Sequence, residues 1–178
     1  MNTISTVIGE INEVCSQINE MEYSYLVDLL RSKDRFFFSG EGRSGLIAKA
    51  VAMRLMHTGK TVFVIGETTT PAIETSDVLI VLSGSGKTSN TLHMLENTLK
   101  IGALAFLVTA NKEKLKTYKG LFLHAATKDR VLGEPNTIQP LGNQFDQAAH
   151  IILDAAIIDS LNNNWSNEIL KNKHYNLE

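Results

Sequence analysis

Apolar positions near the start of the chain recur at three- and four-residue intervals. Ile4, Val7, Ile8, Ile11, Val14, Cys15 and Ile18 fall on one face of a helix. A second short helix is expected over residues 21–31. The period then changes. Residues 35–39 (RFFFS) form a short apolar run stopped by GEGRSG, and residues 46–57 are helical again. Residues 61–65, 77–82, 103–108 and 121–125 complete a set of five apolar or β-branched runs with strand character. Helical stretches over 88–100 and 112–118 separate the later runs. After a turn-rich loop at 127–140, residues 141–161 read as one long helix.

Strands that are apolar throughout and alternate with helices imply a parallel sheet covered on both faces. The expected fold is a three-layer α/β/α sandwich with five parallel strands in a single domain over residues 1–178. Its parts are N-terminal helices at 1–33, a sheet core at 34–125, a long C-terminal helix at 140–162 and a tail at 170–178. In open parallel sheets ligands bind beyond the carboxyl ends of the strands, near helix N-termini. Each glycine-rich turn of this chain falls at such a place.

Composition narrows the function classes. Seventeen Lys and Arg against nineteen Asp and Glu leave a formal charge of −2, so no basic surplus points to nucleic acid or an anionic membrane. A single cysteine, Cys15, rules out an intrachain disulfide and a cysteine-cluster zinc site. The first residues lack the basic and apolar regions of a signal peptide, and residues 148–158 are too short to span a bilayer. A cytoplasmic protein is expected.

Two turns carry the chemistry. Gly40-Glu41-Gly42-Arg43-Ser44-Gly45 is a literal G-x-G-x-x-G between strand and helix, with Glu67 after the next strand in the position of a ribose-binding acid. A dinucleotide site and a merely tight turn both fit it, although a dinucleotide fingerprint has no need of the second phosphate-type loop. That loop, Ser83-Gly84-Ser85-Gly86-Lys87-Thr88, ends like a nucleotide-binding P-loop. The first P-loop glycine would have to be residue 81, which is Val81, so the long wrap around a β-phosphate is missing. What remains is Ser83, Ser85 and Thr88 around backbone N–H groups at a helix N-terminus, suited to one terminal phosphomonoester without metal. Serine-rich helix capping is the competing reading, though three hydroxyls in six residues exceed what a cap requires.

SGSGKT after a parallel strand, with GEGRSG one helix earlier, resembles the sugar isomerase (SIS) domain family. GETTTPAI, SDVLIVLSGSG, NTIQPLGNQFDQ and the ending HYNLE extend the likeness over nearly the whole chain, and they are most similar to the 6-phospho-3-hexuloisomerase branch. The resemblance implies a doubly wound, flavodoxin-like sheet and a homotetramer whose sites are completed by neighbouring subunits. The reaction it implies converts D-arabino-hex-3-ulose 6-phosphate to D-fructose 6-phosphate, the second step of formaldehyde fixation by the ribulose monophosphate route. No metal or organic cofactor is implied. Ser44, Ser83, Ser85 and Thr88 would hold the phosphosugar, with Gly84 and Gly86 giving backbone contacts.

A carboxylate following QPLG would be the base. The family pattern there is Phe-Glu-Gln, whereas this chain has Phe145-Asp146-Gln147, a side chain about 1.5 Å shorter. Lys87 stands where relatives tend to carry Glu, and would either attract phosphate or face solvent. Moving a carbonyl from C3 to C2 requires a base and donors for the developing oxyanion. Asp146 is the expected base. Glu67 could serve as a second acid or base, and Arg43 could hold phosphate or stabilise an enediolate; both could equally be loop charges. His174 matches the family's tail histidine and would shuttle protons. A non-catalytic phosphosugar-binding module and an isomerase of another phosphosugar are the alternatives. The first helix's apolar stripe is expected to pack on another subunit, with intrachain core as its competitor.

Overall fold

The computed structural model describes residues 2–161 and 165–177. Helix α1 (Thr3–Ser16) starts where Asn2 Oδ1 accepts from Ser5 N–H at 2.8 Å, and α2 (Glu20–Ser32) is capped in the same way by Asn19. There follow β1 (Arg35–Gly40), α3 (Arg43–His57), β2 (Thr61–Val64), β3 (Val78–Leu82), α4 (Ser89–Ile101), β4 (Leu104–Thr109), β5 (Lys119–Phe122), α5 (Asn143–Ser160) and α6 (Asn167–Lys171). The five strands form one parallel sheet in the order β2-β1-β3-β4-β5, the doubly wound arrangement expected.

Alternation along the strands sorts the core into two faces. Phe36, Phe38, Ile80, Leu82, Phe106 and Val108 pack under α1, α2, α3 and α5. Phe37, Leu79, Val81, Ala105 and Leu107 pack on the other face with Leu95 of α4. The N-terminal stripe divides: Ile11 and Val14 are buried intrachain core, while Ile4 and Ile8 are 69% and 63% exposed. Among the described residues, no helix is long and apolar enough to cross a membrane.

Beyond shifts of one or two residues at other ends, the structure differs from the sequence reading at β5, at α3 and near the end of the chain. Strand β5 begins at Lys119, two residues early, and ends at Phe122. Its Gly120 lies so close to β4 that a Cβ would sit 2.0 Å from the Leu107 carbonyl oxygen, so the strand uses a residue without β character. Helix α3 begins at Arg43, not residue 46, because Gly42 turns the chain at φ +58° and places Arg43 and Ser44 in the helix's first turn. Short helix α6 was not expected. Asn162, the expected end of the long helix, and Glu178, the last residue of the tail, lie outside the described residues.

At the amino end of the sheet, Asp77 ties β1 to β3. Its carboxylate, 1% exposed, accepts from Arg35 Nε and Nη2 at 2.7 Å each and from Glu74 N–H at 2.6 Å. The Arg35 hydrogen bonds hold its pKa below the ordinary carboxyl range, against the opposing effect of burial. Asp77→Asn is therefore expected to cost about 2–3 kcal/mol of stability. A depressed pKa contributes stability that is present above the unfolded value and lost as pH falls through the folded one. Denaturant melts should show the gap to wild type steady above about pH 4 and closing below it. A gap independent of pH would contradict the assignment.

Candidate active site

The chain leaves β1 for β2 on one side and then returns past β1 to β3 on the other. The carboxyl ends of β1 and β3 therefore flank the topological switch point, where an open parallel sheet leaves a crevice. GEGRSG follows β1 and SGSGKT follows β3, so both turns reach this crevice. Between them lies a cavity of about 360 Å³. Arg43 and Ser44 from the first turn, Ser83, Gly84, Ser85 and Thr88 from the second, and Asp146 from α5 all line it.

The phosphate turn is braced from below. Thr109 Oγ1 donates to the Gly84 carbonyl at 3.1 Å, and Asn111 Nδ2 donates to the Ser85 carbonyl at 2.8 Å. Gly86, at φ +60° and with Thr109 3.2 Å from where a Cβ would sit, has to be glycine. Its N–H donates to the buried Ser83 hydroxyl at 3.2 Å. Thr88 stands at the N-cap of α4 but makes no side-chain cap bond. Thr88 lines the cavity, and its hydroxyl and the first N–H groups of the helix lack that mutual pairing. Hydroxyls, backbone donors and the helix dipole together form an acceptor for a small dianion.

The opposite wall carries charge. Asp146, 4% exposed, accepts from Ser44 Oγ at 2.8 Å through Oδ1 and from Arg43 Nε at 3.2 Å through Oδ2. Arg43 Nη2 also donates to Asn143 Oδ1, and Asn143 Nδ2 donates to Gln139 Oε1 at 2.9 Å. Gln139 Nε2 donates in turn to Glu10 of α1 at 3.0 Å. Burial works against charge on Glu10, yet hydrogen bonds from Thr137, Ile138 N–H and Gln139 outweigh it and hold the carboxyl below its usual range. A line of side chains thus runs from the first helix to the Arg43–Asp146 pair.

Other expected residues lie elsewhere. Lys87 is exposed and lines a neighbouring surface cleft with Asn111, Lys112 and Lys114. Glu67 is exposed and pairs with Lys49 Nζ at 2.6 Å, outside the cavity lining. His174 stacks on His57 with ring centroids 5.1 Å apart. His57 ends α3 while Ser44, bonded to Asp146, lies in its first turn, so about 20 Å of helix separates the histidine pair from Asp146 in the same chain.

Sequence reasoning also overlooked cavity residues. Glu41, Thr127, Lys128, Leu141 and Phe145 line the cavity. Gln144 of α5 accepts from Ala126 N–H at 2.7 Å and so holds the loop bearing Thr127 and Lys128 against the phosphate turn. Nothing in the composition of that loop signals this. Leu141, at φ +54°, was visible only as the residue before Gly142. Among the described residues, no three His, Cys, Asp or Glu side chains converge as metal ligands.

Comparison with known proteins agrees with this architecture. The sequence model of the SIS domain matches residues 29–129. The 3-hexulose-6-phosphate isomerase of Bacillus subtilis is 31% identical over 98% of this chain and 97% of its own length. That of Mycobacterium gastri is 33% identical, covering 99% of this chain and 90% of its own. A Methanococcus jannaschii protein, whose crystal structure was taken to infer a molecular function of 3-hexulose-6-phosphate isomerase, superposes with a TM-score of 0.85. It has 26% identity and full coverage of both chains. By sequence, by fold and by the two turns at the switch point, the chain belongs to the SIS domain family.

Proposed function

We propose that the chain is a phosphosugar isomerase that interconverts D-arabino-hex-3-ulose 6-phosphate and D-fructose 6-phosphate, the second step of the ribulose monophosphate route. The observation that carries this reading is one cavity with a phosphate cradle on one wall and a buried carboxylate on the other. Near-full-length likeness to two 3-hexulose-6-phosphate isomerases supports the choice of sugar. Ser83, Ser85, Thr88 and the first N–H groups of α4 hold the 6-phosphate. Asp146 is the base for the proton at C2, and the Arg43 guanidinium stabilises the enediolate. Residues that only hold phosphate add equal binding to substrate and transition state.

Ser83→Ala is accordingly expected to raise KM about tenfold, the value of one hydrogen bond to a charged group, with kcat nearly unchanged. A fall in kcat at constant KM would contradict the phosphate role. The proposed protein works in the cytoplasm as a homotetramer. Exposed Ile4 and Ile8 of α1, Leu46 and Met53 of α3, and Ile151 and Ile158 of α5 support a subunit interface on this helical layer. The direct test supplies 3-hexulose 6-phosphate, made by a synthase from formaldehyde and ribulose 5-phosphate, and assays fructose 6-phosphate. Tight binding without turnover would instead make the chain a phosphosugar-binding module.

A further inference from the structure

Resting on the isomerase reading, we infer that Ser44 is a catalytic proton relay between the sugar and Asp146, and not only a substrate-holding hydroxyl. The Asp146 side chain is only 5% exposed, and each of its oxygens already accepts a hydrogen bond. Oδ2 is held by the Arg43 guanidinium and Oδ1 by the Ser44 hydroxyl. Ser44 is half-buried and lines the same cavity. A hydroxyl carries one proton and two acceptor lone pairs. Since its proton is directed to Asp146 at 2.8 Å, the lone pairs are left for a proton arriving from the sugar.

The placement of Ser44 favours this role in two further ways. It is the second residue of α3, whose N-cap Gly42 makes no side-chain cap bond, so the helix dipole favours negative charge growing on Oγ. The Arg43–Asn143–Gln139 chain fixes the far oxygen of the carboxylate, which leaves the carboxylate little freedom to rotate past the hydroxyl.

The step balances without any co-reactant. As the C2–H bond breaks, its proton passes to Ser44 Oγ while the Oγ–H proton passes to Asp146 Oδ1. The C2–H electron pair forms the C2–C3 double bond, and the C3 carbonyl pair moves to O3, which Arg43 neutralises. O3 then takes the proton that O2 gives up as the C2 carbonyl forms. While the enediol is bound, the proton on Asp146 exchanges with water in the cavity, and Asp146 returns a proton through Ser44 to C3. Net, one hydrogen moves from C2 to C3 and one from O2 to O3.

The test compares wild type with Ser44→Ala, Ser44→Thr and the double variant Ser44→Ala/Asp146→Glu, reading kcat and KM with thermal melts as a folding control. Ser44→Ala is expected to lower kcat about 10²-fold or more while KM stays close to wild type. Ser44→Thr, which keeps a hydroxyl, should retain most of the rate. The double variant should regain part of the loss, because the longer carboxylate reaches the sugar without a bridge. A raised KM with intact kcat in Ser44→Ala would overturn the relay and leave Ser44 a binding residue. A double variant no faster than Ser44→Ala would overturn it too. An inactive wild type would instead defeat the isomerase reading, and the relay with it.

Discussion

Asp146→Asn is expected to lower kcat by about 10²–10⁴-fold, the contribution of a positioned general base, while substrate still binds. Asn keeps the shape and can still accept from the Ser44 hydroxyl, but it cannot take up a proton. The variant also presents an amide to Arg43 where a carboxylate stood, so the ion pair is lost. Arg43 is 58% exposed and can be solvated, so the fold should survive. Calorimetric binding of fructose 6-phosphate beside steady-state rates separates the two effects. Residual activity near wild type would move the base elsewhere, with Glu41 the carboxylate already lining the cavity.

Gly45→Ala should damage both stability and phosphosugar binding. A Cβ on Gly45 would stand 2.5 Å from the Gly40 carbonyl oxygen, and one on Gly40 would stand 2.8 Å from the Ser44 carbonyl carbon. These are backbone atoms at the close approach of β1 to α3, so no side chain can swing away. Forcing them apart should cost about 1–3 kcal/mol and carry Arg43 and Ser44 away from Asp146. Thermal melts are expected to drop, with kcat/KM falling further than the loss of folded protein explains. A variant with wild-type stability and activity would show that the turn yields more easily than its contacts suggest. Gly59, with nothing within 4 Å of its Cβ position but φ +93°, provides a contrasting control in which backbone strain replaces collision.

How much of this was legible in the sequence depends on whether the signal was local. The runs through Phe36–Phe38 and Val78–Leu82 declare buried strands, and the glycines that follow them declare the turns. Once the sheet is parallel, both turns must lie at the carboxyl ends of the strands. The start of β5 escaped because Lys119-Gly120 lies on the edge strand without β character, its glycine required by a close backbone approach. The pairing of Glu67 with Lys49 on the neighbouring helix was not legible either, because a residue at a strand end says nothing about which side chain reaches it. The line from Glu10 through Gln139 and Asn143 to Arg43 contains two links that span a hundred positions or more. No periodicity encodes such a line. The Ser44–Asp146 hydrogen bond was similarly beyond reach, although each residue was separately visible as a candidate.

The proposed isomerisation passes through an enediol between C2 and C3 of a 6-phosphosugar, and one measurement detects it starting from fructose 6-phosphate alone. Fructose 6-phosphate incubated with the enzyme in D2O is followed by proton NMR. An isomerase that moves the carbonyl between C2 and C3 removes and returns the hydrogen at C3 of this sugar. The H3 signal is expected to disappear at a rate that Asp146→Asn suppresses, with both C1 hydrogens retained. Exchange at C1 would reveal an aldose–ketose isomerase, and no exchange at all would contradict catalysis on this sugar.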